Sequence, residues 1–120
     1  LGAGKTTFVQ GFAKGLGVSE KYYITSPTYN IINEYPVNEW TLFHLDLYRL
    51  ESADELETIG FDDLIDGSHL ILVEWPEILK TISFKFDIEI NFQFDAHYNR
   101  IISVSTSGQP GSNLLDKLLL

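Results

Sequence analysis

The chain opens Leu1-Gly2-Ala3-Gly4-Lys5-Thr6-Thr7. This is the tail of a phosphate-binding loop, whose pattern is Gly, four residues, then Gly-Lys-Ser/Thr. Such a loop links a buried β-strand to a helix, so the feature commits the chain to an α/β fold. Its glycines let the backbone curl so that successive N–H groups point at phosphate oxygens. Lys5 would reach the outer phosphates and the Thr6 hydroxyl would hold a magnesium ion. The helix that follows turns its positive dipole end toward the same anion. The predicted cradle comprises Leu1, Gly2, Ala3, Gly4, Lys5, Thr6 and Thr7. A Gly-rich turn before an ordinary helix is the plainer alternative, but the direct run into an amphipathic segment favours a nucleotide site.

The pattern's first glycine would fall two residues before Leu1. The reading is therefore a single domain over 1–120 that lacks its N-terminal strand and that glycine. With 44% apolar residues and 13% aromatics, 120 residues suffice for one real core. No apolar run approaches the ~20 residues needed to span a bilayer, and no secretory signal is visible. The absence of cysteine excludes a disulfide framework, a thiolate zinc site and a cysteine nucleophile, and fits a cytosolic protein. The net charge is −9, with six lysines and two arginines against 17 acids. Nucleic-acid binding normally needs a basic stripe to displace counterions, and none is present. If the protein serves a nucleic acid, a partner holds it.

Along the chain, Phe8, Val9, Phe12, Ala13 and Leu16 recur at helical spacing and Gly17 supplies the stop. Thr25-Ser26-Pro27-Thr28 is a turn-prone stretch. Tyr29 to Tyr35 and Trp40 to Tyr48 read as strands of a hairpin, joined through Pro36-Val37-Asn38-Glu39. Ser52-Ala53-Asp54-Glu55 is a capping box opening a helix that Gly60 ends, and Phe61 to Ile65 is a second short helix. Leu70 to Val73 is a continuous apolar run, as in a strand buried on both faces. Phe86 to Phe94 and Arg100 to Thr106 alternate as an antiparallel hairpin, and Leu114 to Leu120 reads as a terminal helix. The predicted fold class is α/β: a P-loop NTPase-like three-layer core with a mixed sheet and an antiparallel flank.

A nucleotide-hydrolysing site also needs an acid near magnesium and a group that orients the attacking water. Glu74 ends the Leu70–Val73 run, the form of a Walker B element, and open α/β sheets bind ligands beyond the carboxyl ends of their strands. A charge abutting a buried strand needs a partner, which favours function over a solvated strand end. In Phe43-His44-Leu45-Asp46-Leu47-Tyr48, alternation places His44, Asp46 and Tyr48 on one face. A half-exposed strand accounts for Asp46 as well as chemistry does. His44 reads as a strand-face histidine rather than a base, and no two histidines have metal-ligand spacing. Trp75 could stack on a base, though packing is the simpler role. The acids between Asp54 and Asp66 form either a solvated helix face or a docking surface.

The ordered set Gly2-Ala3-Gly4-Lys5-Thr6-Thr7, Ser26-Pro27-Thr28-Tyr29, His44-Leu45-Asp46-Leu47-Tyr48-Arg49-Leu50 and Val73-Glu74-Trp75-Pro76-Glu77 strongly resembles the TsaE family. These are small bacterial P-loop ATPases of tRNA threonylcarbamoyladenosine synthesis. The resemblance spans the chain from the loop to the final hairpin, and its Leu-Tyr-Arg-Leu and Glu-Trp-Pro elements are far more specific than the loop alone. It implies ATP and Mg2+ as cofactors, and partner proteins TsaD and TsaB that perform the threonylcarbamoyl transfer. The tRNA would be met only indirectly, through those partners, in the cytoplasm. By resemblance, Gly4 and Lys5 cradle phosphate, Thr6 and Glu74 serve the metal, and Asp46 is a second essential acid. Thr28 resembles a switch-loop contact to the γ-phosphate side, and Trp75 a tryptophan close to the nucleotide. The resemblance also implies an adenine contact from a segment before the loop, to which no residue of 1–120 is assigned.

Two other enzymes fit poorly. A small-molecule kinase closes an arginine-rich lid over the transferring phosphate, and here only Arg49 and Arg100 exist. A GTPase would show Asp-x-x-Gly after a strand and Asn-Lys-x-Asp, and neither occurs. The strongest rival is a nucleotide-gated protein-binding module with negligible hydrolysis, which shares every binding residue.

Overall fold

Helix α1 (Lys5–Leu16) follows from the apolar spacing, and its end follows from one glycine. Gly17 takes φ 99, its N–H reaches the Lys14 carbonyl, and the Val18 N–H reaches that of Ala13. Those two bonds form a Schellman cap, which a side chain at Gly17 would strain. The computed structural model describes residues 4–27, 29–67 and 69–108. They gather into two compact units, one of them Lys5–Ile82, the other Gly4 with the residues from Ser83 on. No helix among the described residues is long and apolar enough to cross a membrane.

The first unit is built on a mixed sheet in the order β1-β2-β3, with β1 Ile32–Val37, β2 Trp40–Asp46 and β3 Leu70–Glu74. β1 and β2 pair antiparallel, whereas β2 and β3 run parallel. The hairpin turn is tighter than the sequence suggests. Pro36 and Val37 belong to β1, opposite Thr41 and Trp40, and only Asn38 and Glu39 turn, with Asn38 at φ 55. Pro36 is tolerated because β1 is an edge strand among the described residues, with no ladder partner on its second side.

Register puts Tyr35, Leu42 and Leu70 on one face of this sheet. They pack with Ala13, Val18 and Val37, and with Phe12, Leu16, Tyr22, Ile24 and Leu72, so α1 and the loop after it cover that face. The opposite face carries buried Phe43 and Leu45. Three short helices, α2 (Glu55–Thr58), α3 (Phe61–Ile65) and α4 (Glu77–Lys80), each bury one large apolar side chain: Leu56, Phe61 and Leu79.

Strand burial differs from the sequence expectation. The strand buried on both faces is β2, from Leu42 to Asp46, while residues 70–73 of β3 are only partly buried. β2 has a hydrogen-bonded strand on each side, and β3 has one among the described residues. Local sequence carries no information about which apolar run is central. The capping box is half realised. The Glu55 carboxylate accepts the N–H groups of Ser52 and Glu51, but α2 starts at Glu55 with Asp54 as its N-cap, and Asp54 makes no side-chain cap bond. Helix α4 has no counterpart in the sequence reading, because its four residues are too short for periodicity to register.

The second unit is an antiparallel hairpin of β4 (Ile88–Phe94) and β5 (Arg100–Thr106), close to the bounds read from alternation. Its turn is organised by Asp95, whose carboxylate accepts the N–H groups of His97 and Asn99. The predicted terminal helix at Leu114–Leu120 lies outside the described residues.

Candidate functional site

Four polar side chains from four different segments meet at the carboxyl end of the mixed sheet. The Thr6 hydroxyl, in the first turn of α1, is 2.9 Å from the Ser26 hydroxyl. Ser26 donates to Glu74 Oε2 at 3.0 Å, and His44 Nε2 lies 2.6 Å from the same oxygen. The result is a continuous chain Thr6–Ser26–Glu74–His44.

Each member is placed by identifiable local structure. β2 and β3 are in parallel register with His44 opposite Leu72 and Asp46 opposite Glu74. His44 and Glu74 are therefore diagonal neighbours on one face, within reach of two long side chains. Ser26 sits on the loop between α1 and β1, which is pinned from both sides. Gln10 of α1 donates to the Ile24 carbonyl, and Asn33 of β1 donates to that of Thr25. The loop closes at Ile31, whose φ of 66 is rare for a β-branched residue. Its N–H reaches the Pro27 carbonyl and its own carbonyl receives the Asp46 N–H.

The electrostatics favour an ionised Glu74. Burial is the largest single influence on this carboxyl and pushes its pKa up. The hydrogen bond and charge of His44, the Ser26 hydroxyl and the Lys5 charge together outweigh it and hold the group below the usual carboxylate range. A carboxylate only accepts hydrogen bonds, so His44 Nε2 must carry the proton between them. His44 is fully buried, and its Nδ1 has no hydrogen-bond partner among the described residues. Among the described residues, both hydrogen bonds to the Glu74 carboxylate go to Oε2.

Asp46 is equally buried but differently used. Its Oδ1 accepts the Tyr48 N–H at 3.1 Å, closing a turn that continues with Leu50 N–H to the Leu47 carbonyl. Lys5 directs its ammonium onto the Trp75 ring, 3.7 Å from the centroid, and Tyr48 packs on the same ring at 5.0 Å. Trp75 adopts φ 57, a backbone choice costing roughly 1–2 kcal/mol in a residue with a Cβ. Cation–π and ring contacts of about 0.5–1 kcal/mol each are of the size needed to offset it. An open cleft of about 210 Å³ lies beside Trp75, lined also by Leu47, Tyr48 and Ile78. It reaches neither Thr6 nor Glu74, so the polar chemistry lies outside it.

Of the residues singled out from sequence, the structure brings together Lys5, Thr6, Glu74 and Trp75, with Asp46 opposite Glu74 in register. Gly4, at φ 100, immediately precedes α1, and Thr7 is exposed in its first turn. Leu1, Gly2, Ala3 and Thr28 lie outside the described residues. Sequence reasoning passed over His44 as a strand-face residue and assigned Ser26 no role. Their signal in the sequence is that each opens a motif of the family resemblance, His44 two residues before Asp46 and Ser26 two before Thr28.

The donor set suits a small hard cation rather than a caged one. Thr6 and Glu74 offer oxygen ligands on the two sides of Ser26, and no cluster of three His, Cys, Asp or Glu occurs among the described residues. That is the sparse protein contribution magnesium takes when phosphates and water complete its shell. The first turn of α1 contains no acidic side chain.

These features define a small mixed α/β protein with an oxygen-rich site where a helix N-terminus meets the ends of parallel strands. Comparison with known proteins narrows the class. A sequence model described as "Threonylcarbamoyl adenosine biosynthesis protein TsaE" matches residues 1–102. The tRNA threonylcarbamoyladenosine biosynthesis protein TsaE of Rickettsia felis is 38% identical over 118 residues, covering 98% of this chain and 67% of that protein. Its counterpart in Bacillus subtilis is 46% identical over 80 residues, covering 67% of this chain and 48% of that protein. The crystal structure of Bacillus subtilis YdiB superposes with a TM-score of 0.76 at 30% identity, over 98% of this chain and 70% of that one. The chain belongs to the TsaE family, and it spans about half to two thirds of the length of these curated relatives.

Proposed function

We propose that this chain is a P-loop ATPase acting in tRNA threonylcarbamoyladenosine synthesis, the process named for its relatives. It binds Mg-ATP along Leu1 to Thr7, with Lys5 on the outer phosphates and Thr6 and Glu74 serving the magnesium ion. Bound magnesium would supply charge neutralisation on the phosphate oxygens. Glu74 orients or deprotonates the attacking water, Asp46 is the second acid, Thr28 senses the γ-phosphate side and Trp75 lies near the nucleotide. The observation that carries this reading is the hydroxyl bridge from Thr6 through Ser26 to an ionised Glu74. It brings the first turn of α1 and the acid at the strand end together, the two parts that hold magnesium in sites of this class. The chain does not itself transfer threonylcarbamoyl. TsaD and TsaB are its partners in the cytoplasm, hydrolysis resets their complex, and tRNA contacts those partners.

The test is ATP turnover by the intact protein with and without purified TsaB–TsaD. Turnover that rises with the partner supports the reading. Binding without turnover in either condition would replace it with the nucleotide-gated module, the carboxylates holding magnesium only.

A further inference from the structure

We infer that His44 is a positioning residue for Glu74: through Nε2–H it fixes the carboxylate by Oε2, so that Oε1 faces the reacting water or metal. The inference rests on the proposed ATPase reading and adds a residue which that reading does not use.

Three observations carry it. His44 Nε2 and Glu74 Oε2 are 2.6 Å apart, with His44 0% and Glu74 8% exposed. A bond this short between two side chains withdrawn from water fixes the placement of the carboxyl group relative to the ring. Second, His44 is an expensive choice for a strand interior. Its Nδ1 is buried without a hydrogen-bond partner among the described residues, a cost that an apolar side chain would avoid. Leu42 and Leu45, on the same strand, are equally buried and carry no such cost. Third, the two hydrogen bonds on Oε2 arrive from separate elements, Ser26 from the loop and His44 from β2. Two donors on one oxygen restrict rotation of the carboxylate about its last torsion more than either would alone. Outer-shell partners of this kind orient the group that touches the ligand.

The test compares His44→Leu with His44→Gln in the intact protein, measuring kcat for ATP hydrolysis and the Kd for ATP separately. Leucine removes the donor. Glutamine presents its amide N–H near the position of Nε2. His44→Leu should lower kcat about 10- to 100-fold, the usual cost of losing an outer-shell partner, with Kd for ATP little changed. His44→Gln should recover most of that loss. Equal losses in the two folded variants, or wild-type turnover in His44→Leu, would overturn the inference. Should His44→Leu fail to fold, 15N-histidine NMR on the wild type decides. A proton on Nε2 of His44 whose resonance moves on Glu74→Gln supports the inference; an unprotonated Nε2 overturns it. Failure of the underlying reading is told apart by the wild type itself, which would then show no turnover at all.

Discussion

The ends of β2 and β3 lie opposite each other, each closing in a carboxylate that is 8% exposed, yet the two acids have different employments. Asp46 turns back on its own chain and satisfies the backbone of Tyr48, two residues on. Glu74 reaches away from its chain and gathers side chains from β2 and the Ser26 loop, with the charge of Lys5 close by. The aspartate is short enough to close a local turn, whereas the glutamate's extra methylene carries its carboxyl past the strand end. The comparison separates an acid whose main bond is structural from one whose environment is built around its charge.

The sharpest way to break this distinction is Glu74→Gln, which keeps the shape and one acceptor oxygen but removes the charge. ATP turnover should fall by about 100-fold or more, the range for losing a general base, with nucleotide binding retained. Undiminished turnover would move the chemistry to Asp46. The corresponding pair at the other strand end is Asp46→Ala against Asp46→Asn. Alanine strands the Tyr48 N–H and should cost about 1–2 kcal/mol in urea unfolding, while asparagine still accepts that bond and should cost less. Equal losses would mean that the Asp46 charge, not its turn, is what the fold uses.

Ser26→Ala removes one of the two bonds to Glu74 and should cost about 1 kcal/mol at neutral pH. Its pH dependence sharpens the comparison further. Glu74 titrates below the usual carboxylate range when folded, so the stability it contributes is complete above that range and is lost as pH falls through the lowered value. The difference between wild type and Ser26→Ala should therefore be largest at neutral pH and shrink on that acid limb. A difference constant with pH would assign Ser26 to Thr6 alone. The smallest effect belongs to Glu55, an exposed carboxylate held below its usual range by the N–H groups of Ser52 and Glu51. Glu55→Gln should leave turnover unchanged and only slightly flatten the acid limb of thermal melts.

Local chemistry settled much of this molecule before folding is considered. The amphipathic run to Leu16 and the Gly17 stop specify a helix and its cap, since each depends on residues within a turn or two of one another. Alternation likewise defines β4 and β5 almost to the residue, and the apolar run ending in Glu74 identifies a strand-end acid. What the tertiary structure alone decided is which groups that acid meets. His44 and Glu74 are 30 residues apart, and Thr6 and Ser26 are 20 apart. Whether they touch depends on strand order, parallel register and the pinned loop after α1, none of which leaves a local periodic trace. The same reason hid the central position of β2. A strand with polar residues at every second place looks half exposed, unless another segment brings hydrogen-bonding partners to its polar face.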